Sequence, residues 1–192
     1  MRESSEPSLY LALIHHPVVN KRGAVIASAV TNLDLHDIAR AARTYGARAF
    51  YVVTPLADQQ VLAQQIVDHW TRGPGASYNP IRHRALSIIR VRSSLAEAIA
   101  EVDQETGRSP KMVATCAREH PGSMAAHRLR DLIMSGRPVM IMFGTAWGLA
   151  PEVMTAADYV MTPIHGVGDY NHLSVRSAAA IILDRLMGRT TP

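Results

Sequence analysis

The sequence predicts an α/β fold, a mainly parallel sheet with helices on both faces. Three observations carry that expectation. Short β-rich runs, among them LYLALIH (9–15), AFYVVT (49–54) and PVMIMF (138–143), alternate with stretches of helical periodicity. The run 138–143 is apolar at every position and stops at Gly144, as a strand buried on both faces would. Ligands of such sheets bind beyond the strand C-termini, and the glycine-bearing stretches FGTAWGLAP (143–151) and TPIHGVGDYNHLSVRSAAAIILDRL (162–186) suit that role.

In chain order, the first strand is residues 9–15, ended by Pro17, and NKRG (20–23) is a turn. Residues 25–30 fit either another strand or the approach to a helix. Thr31 or Asn32 can cap that helix, with Asp34 and Asp37 complementing its dipole and Leu35, Ile38, Ala39 and Ala42 forming an inward stripe up to Gly46. A strand at 49–54 stops at Pro55, and 56–70 has helical spacing in Leu62, Ile66 and Trp70. A loop with two glycines and Pro74 leads into a strand at 86–91. Ser94 caps a helix over 94–105 with Leu95, Ala98, Ile99 and Val102 inward. Residues 111–115 form the next strand, and 121–135 a helix with Arg128 and Arg130 outward. The last helix carries Val175, Ala178, Ala179, Ile182 and Leu186 on one face, where the alanines admit a close neighbour.

The 192 residues suit one domain over 1–192, with 1–8 expected to be disordered. Hydrophobic residues make up 47%, and no apolar run approaches the roughly 20 residues of a membrane span. MRESSEPS has no signal-peptide core, so a cytoplasmic location is expected. Cys116 is the single cysteine, which excludes an intrachain disulfide, and no activating partner marks it as a nucleophile. The nine histidines are scattered, and His15 and His16 would point to opposite strand faces, so no metal site is expected. A formal charge of +4 and a pI near 9.6 allow a polyanion partner without demanding one. Residues 71–94 hold Arg72, Arg82, Arg84, Arg90 and Arg92 with no carboxylate. Arginine offers bidentate donors to phosphate and Tyr78 could stack on a base, although a solvated basic surface explains the same pattern.

In the loop 143–149, Gly144 and Gly148 flank Thr145 and Trp147, so backbone groups can approach a ligand while the indole supplies a flat wall suited to a purine. Gly166 and Gly168 are free to take positive φ ahead of Tyr170, Asn171 and His172. An early GxGxxG with its acidic partner, a Walker lysine, a GxSxG elbow and an HExxH are all missing, which argues against hydride transfer, nucleotide hydrolysis and serine hydrolysis.

On these residues the chain resembles the SPOUT superfamily of S-adenosylmethionine-dependent RNA methyltransferases. GTAWGLAPEV (144–153) is similar to that family's second motif and TPIHGVGDYNHLSVRSAAAII (162–182) to its third, while TNLDLHDIARAARTYGARAFYVVTP (31–55) is similar to the first. The resemblance implies a C-terminal deep trefoil knot, an obligate homodimer, and S-adenosylmethionine bound in the knot loops. On that basis the cofactor contacts are Thr115, Phe143, Gly144, Thr145, Trp147, Gly148, Leu149, Thr162, Ile164, Gly166, Tyr170, Asn171, His172 and Leu173. Arg40, six residues before Gly46, matches the arginine that sits beside the cofactor, often the partner subunit's, and Ser174 matches the family's serine. Arg40, Ser174 and His172 are thus the catalytic candidates, with Arg43, Arg72, Arg82 and Arg84 directed to RNA, a tRNA or an rRNA. Ser174 equally suits a helix cap. Branches that methylate the ribose 2'-hydroxyl carry asparagine where this chain has Asp34 and His172, so a ribose hydroxyl and a base nitrogen both stay open as targets, with His172 or Asp169 as proton acceptors. The alternative is a knotted RNA-binding protein that keeps the cofactor pocket without catalysis.

Overall fold

The structure is a computed structural model that describes residues 7–189. Its strands are β1 (Leu9–Ile14), β2 (Val18–Val19), β3 (Val25–Ile26), β4 (Ala49–Val53), β5 (Ile89–Arg92), β6 (Lys111–Ala114), β7 (Val139–Gly144) and β8 (Tyr159–Val160). Its helices are α1 (Asn32–Thr44), α2 (Ala57–Thr71), α3 (Pro74–Tyr78), α4 (Pro80–Leu86), α5 (Leu95–Thr106), α6 (Ala126–Met134), α7 (Pro151–Ala156) and α8 (Val175–Met187). Six strands form one sheet in the order β5-β4-β1-β7-β6-β8, and every pairing is parallel. β2 and β3 form a separate antiparallel hairpin.

The centre of the sheet is the β1–β7 pair, in register from Leu9 with Val139 to Ile14 with Gly144. Every residue of β1 is buried because each face of the sheet is covered. Leu9, Leu11, Leu13, Phe50, Ile141 and Phe143 pack with residues of α1, α2, α6 and α8. Tyr10, Ala12, Ile14, Tyr51, Met140 and Met142 pack on the opposite face with residues of α5 and α7. The expected α/β sheet with helices on both faces is present, and continuous apolar strands are the signature of that burial. Of the segment expected to be disordered, residues 1–6 lie outside the described residues. Ser8 is buried and its carbonyl accepts from the Val139 amide at 2.9 Å, so the chain is already pinned there.

Helix α1 follows its sequence signals. The Thr31 hydroxyl accepts from the Asp34 amide, and Leu35, Ile38, Ala39 and Ala42 are fully buried. Burial of Leu35 and Ile38 is worth roughly 1.5–3 kcal/mol each. Gly46, at φ +78°, turns the chain towards β4.

Elsewhere the structure corrects the periodicity. In α2 the buried positions are Ala63 and Val67, while Leu62 is exposed, so the inward face is centred past Leu62. The stretch after Gly73 is not a loop but two short helices, α3 and α4, each with proline at its start. Helix α6 begins at Ala126 rather than 121, since Met124 is occupied in backbone pairing: its amide donates to the Val160 carbonyl and its carbonyl accepts from the Thr162 amide. Arg130 does not stand outward; its guanidinium donates to the Gly188 carbonyl at 2.9 Å and holds the end of α8. Among the described residues no helix is long and apolar enough to cross a membrane.

Candidate functional site

The C-terminal ends of β6, β7 and β8 feed three loops at one edge of the sheet, and most of the expected cofactor residues lie on them. The β7 loop folds back sharply. A Cβ on Gly144 would lie 2.5 Å from the Leu149 amide nitrogen and 2.8 Å from the Gly148 carbonyl carbon, so only glycine fits there. Gly148 completes the turn at φ +109°, with open space around its Cα. Gly148 is therefore required by backbone conformation and not by close approach, while Gly144 is required by close approach. Gly166 and Gly168 do not use positive φ; Ala146 does, at φ 53°.

The β7 loop is anchored by backbone bonds to the β2–β3 segment. The Trp147 amide donates to the Val19 carbonyl, the Val19 amide to the Gly148 carbonyl and the Ala150 amide to the Pro17 carbonyl, at 3.0, 3.0 and 3.2 Å. Trp147 is 61% exposed, so its indole is available as a wall. Phe143 and Leu149, in contrast, are buried in the two opposite cores and contribute support from behind the loop.

On the β6 loop, the Thr115 hydroxyl donates to the Met142 carbonyl at 2.9 Å and is thereby committed to tying β6 to β7. The β8 loop leans on it. The Asn171 amide donates to the Ala117 carbonyl at 2.8 Å, and His165 Nε2 stands 3.1 Å from Glu119. Thr162 pairs with the Met124 backbone, and Ile164 packs against the core. Tyr170 and His172 stack edge to face at 5.6 Å, both exposed, beside the partly exposed Leu173. The Ser174 hydroxyl accepts from the Ser177 amide at 3.2 Å and bonds the Ser177 hydroxyl at 2.9 Å, which is an N-cap of α8.

Arg40 lies apart from these loops. With Arg43, Arg82 and Arg84 it lines a groove of about 470 Å³ between α1 and α4, together with Thr44, Asn79, Ile81 and Ala85. Among the described residues no carboxylate lines it. Arg82 also rests over the Trp70 ring, 4.8 Å from its centroid, which fixes the guanidinium at the rim. Tyr78 and Ile81 are strongly exposed nearby, on the two helices that sequence spacing did not reveal. Arg72 is not part of the groove; it follows α2 directly and pairs with Asp68 of that helix at 3.7 Å. Arg90 and Arg92 are paired with Glu101, so of the arginines in 71–94 it is Arg82 and Arg84 that have no carboxylate partner among the described residues.

Two site-supporting residues escaped the sequence. His15, fully buried at the end of β1, places Nδ1 3.0 Å from the Ser28 hydroxyl, which in turn bonds the Thr145 hydroxyl. Burial lowers the His15 pKa to about 4 against the opposing charge of Asp34 and the nearby Ala29 and Ser28 carbonyls. Ser28 and Thr145 are 117 positions apart, and no spacing rule connects them.

A family model described as SAM-dependent RNA methyltransferase matches residues 8–188. A protein of Oleidesulfovibrio alaskensis named tRNA (guanine-N(1)-)-methyltransferase is 46% identical over 187 residues, 97% of this chain and 44% of that protein. A protein of Aquifex aeolicus, carrying the name "Uncharacterized protein", is 40% identical over 183 residues, 95% of this chain and 89% of its own length. The chain thus spans less than half of the first relative and most of the second. Among solved structures, the SpoU methyltransferase AviRb of Streptomyces viridochromogenes in complex with AdoMet aligns with a TM-score of 0.53 at 19% identity, covering 93% of this chain and 56% of that one. That likeness is one of fold.

Proposed function

Because the chain belongs to the SAM-dependent RNA methyltransferase family, we propose that its three loops at the C-terminal sheet edge hold S-adenosylmethionine and deliver its methyl group to a nucleotide of tRNA or rRNA. The observation that carries this is the β7 loop, where a strand ends at a glycine that tolerates no side chain and turns back beneath an exposed indole. The backbone of Gly144, Thr145, Gly148 and Leu149 would hold the cofactor, with Trp147 as a wall and residues from Thr162 to Leu173 closing the other side. Thr115 and Phe143 support it from below. Bound there, the cofactor supplies an electrophilic sulfonium methyl, and the protein's task is to orient the nucleophile and to remove its proton where it carries one.

Of the three catalytic candidates, the side chains of His172 and Arg40 make no hydrogen bond or ion pair among the described residues, while the Ser174 hydroxyl is engaged in the helix cap. His172 is suited to accept a proton, and Arg40 to orient phosphate or the attacking group. The groove holding Arg40 shares no residue with the loops, which supports a homodimer in which Arg40 of one protomer serves the loops of its partner. Much of the apolar stripe of α8 is spent within the chain's own core, through Ala179, Ile182, Leu183 and Leu186. The exposed Ala180 and half-buried Ile181 are left for an interface. Arg43, Arg82 and Arg84 would continue the groove as an RNA track, with Arg72 outside it. The close lean of the β8 loop on the β6 loop, followed by the return of α8 onto α1 and α6, supports a knotted C-terminus.

The name of the Oleidesulfovibrio relative supports guanine N1 in tRNA as the target. More than half of that relative lies outside the match, so its activity belongs to a longer protein. A second reading is favoured by the engaged Ser174 and by Asp34, which is bound to Thr31 and Arg176: a protein that binds cofactor and RNA without transferring the methyl. The test incubates the purified chain with S-adenosylmethionine carrying a labelled methyl and with bulk tRNA and rRNA, followed by nucleoside mass spectrometry. A labelled nucleoside identifies the atom. Cofactor and RNA binding with no label in any nucleoside would select the second reading.

A further inference from the structure

We propose that His15 is a positioning residue for the cofactor loop, acting through a one-way chain of hydrogen bonds that ends on the Thr145 hydroxyl. The proposal rests on the assignment of the β7 loop to the cofactor.

The direction of the chain follows from its far end. Thr145 Oγ1 donates to the Ile14 carbonyl at 3.0 Å, a group that can only accept. With its proton spent there, Thr145 must accept from Ser28 Oγ, whose oxygen lies within a short hydrogen bond. Ser28 Oγ also reaches the His15 carbonyl at 3.5 Å, a much longer contact than that to Thr145; with its proton directed to Thr145 it accepts from His15, and the contact of 3.0 Å is made by Nδ1. The imidazole is therefore the tautomer with hydrogen on Nδ1, and its Nε2 keeps a bare lone pair. That atom is fully buried and has no hydrogen-bond partner among the described residues, which a lone pair tolerates better than an N–H would. Protonation at Nε2 would place a charge on a buried ring, which desolvation disfavours more than the nearby Asp34 charge and the Ala29 and Ser28 carbonyls favour it, in agreement with the depressed pKa.

The scaffold around the chain is rigid. The His15 amide donates to the Val53 carbonyl at 2.9 Å and the Ser28 amide to the His15 carbonyl at 2.8 Å, so both residues are fixed to the sheet end. Thr145 is the first residue of the loop after β7, and its hydroxyl and amide both bind the Ile14 carbonyl. The hydroxyl chain thus sets the rotamer of Thr145 and the departure angle of the loop, beneath the backbone groups assigned to the cofactor.

The experiment measures binding of S-adenosylhomocysteine by calorimetry to the full chain and to His15→Phe, His15→Asn, Ser28→Ala and the double variant His15→Phe with Ser28→Ala. Asparagine places an amide N–H near the position of imidazole Nδ1, whereas phenylalanine keeps volume without a donor. His15→Phe and Ser28→Ala should each weaken binding by about tenfold, the equivalent of 1.4 kcal/mol. The double variant should be no weaker than either single one, because a chain broken at one link is already broken. His15→Asn should bind within about threefold of the unsubstituted protein, as expected if one restored hydrogen bond recovers most of the lost affinity. A purely structural His15 would lower the melting temperature in both His15 variants and leave affinity unranked by donor. Equal affinity in all variants, or losses that multiply in the double one, would overturn the proposal. If His15→Phe does not fold, Ser28→Ala and Thr145→Val with their double variant apply the same criterion. Should the unsubstituted protein bind no S-adenosylhomocysteine, the assignment of the loop fails first and the positioning role falls with it.

Discussion

Arg176 and Asp34 join the first turn of α8 to the first turn of α1, with the guanidinium 3.3 Å from a carboxylate that is almost wholly buried. A cation at a helix N-terminus opposes the helix dipole, so Arg176 is tolerated there because Asp34 and Asp37, the latter at 3.4 Å, neutralise it. The helix that follows the β8 loop is thereby locked to the helix that carries Arg40. Arg176→Met should leave Asp34 buried with only the Thr31 hydroxyl as side-chain partner and lower stability by about 1–3 kcal/mol. That corresponds to a fall of roughly 2–4 °C in melting temperature per kcal/mol at this chain length. Adding Asp34→Asn to Arg176→Met should recover part of the loss, and a double variant less stable than Arg176→Met alone would show that the pair does not act as a unit.

Acid should weaken the fold through His15. In the unfolded chain this imidazole takes a proton near pH 6.5, but in the folded protein only near pH 4. Between those values the unfolded state binds more protons, so the contribution is complete above about pH 6.5 and is lost as pH falls towards 4. A gap of 6.5 − 4 = 2.5 pH units, at 1.36 kcal/mol each, sets the scale at about 3 kcal/mol. Asp34, the nearby carboxylate, opposes part of this by favouring the charged ring, and it is itself held by Arg176. Denaturant titrations at pH 7 and pH 4.5 should differ, and the difference should shrink in His15→Asn; an unchanged difference would place the acid sensitivity in another group.

The two glycines of the β7 loop should fail in different ways. Gly144→Ala drives a Cβ into the Leu149 amide nitrogen, displacing the loop and abolishing the thermal shift given by S-adenosylmethionine. At about 100 times its dissociation constant the cofactor should stabilise the unsubstituted protein by roughly 2.7 kcal/mol. At Gly148 a Cβ meets no neighbour but the residue must adopt φ +109°, so Gly148→Ala should cost at least about 1–2 kcal/mol in conformational strain and weaken the shift without erasing it. Equal behaviour of the two variants in differential scanning fluorimetry would refute this division.

Arg40→Ala should reduce methyl transfer by on the order of 10²–10⁴-fold with little change in cofactor affinity or melting temperature. Arg82→Ala and Arg84→Ala should instead weaken RNA binding across sequences and lower its salt dependence by about one ion each. Arg72→Ala, outside the groove, is the control. A normal rate on the true RNA substrate for Arg40→Ala would reduce Arg40 to a surface residue.

Light scattering should report a dimer at micromolar concentration. In a mixture of Arg40→Ala with a cofactor-loop variant such as Gly144→Ala, one mixed site keeps both an intact arginine and an intact loop, so activity should partly return if Arg40 serves the partner's loops. A monomer, or no complementation, would rule out service across the interface.

Local chemistry sufficed to read much of this protein from its sequence. Continuous apolar runs announced strands buried on two faces, Thr31 or Asn32, Ser94 and Ser174 announced helix caps, and the glycine pair around Trp147 announced a loop after the strand. These features are encoded within a few residues, where rotamer, capping and burial preferences act directly. Tertiary structure decided the rest. It turned Leu62 outward in favour of Ala63, folded the arginine stretch into α3 and α4, neutralised Arg90 and Arg92 on Glu101, and drew Arg130 onto the end of α8. It also brought His15, Ser28 and Thr145 into one hydrogen-bonded line. Such contacts depend on which strands become neighbours, and β1 lies beside β7 although more than 100 residues separate them in the chain. Spacing along a sequence reports the face a residue presents, whereas its partner is set by the order of strands in the sheet.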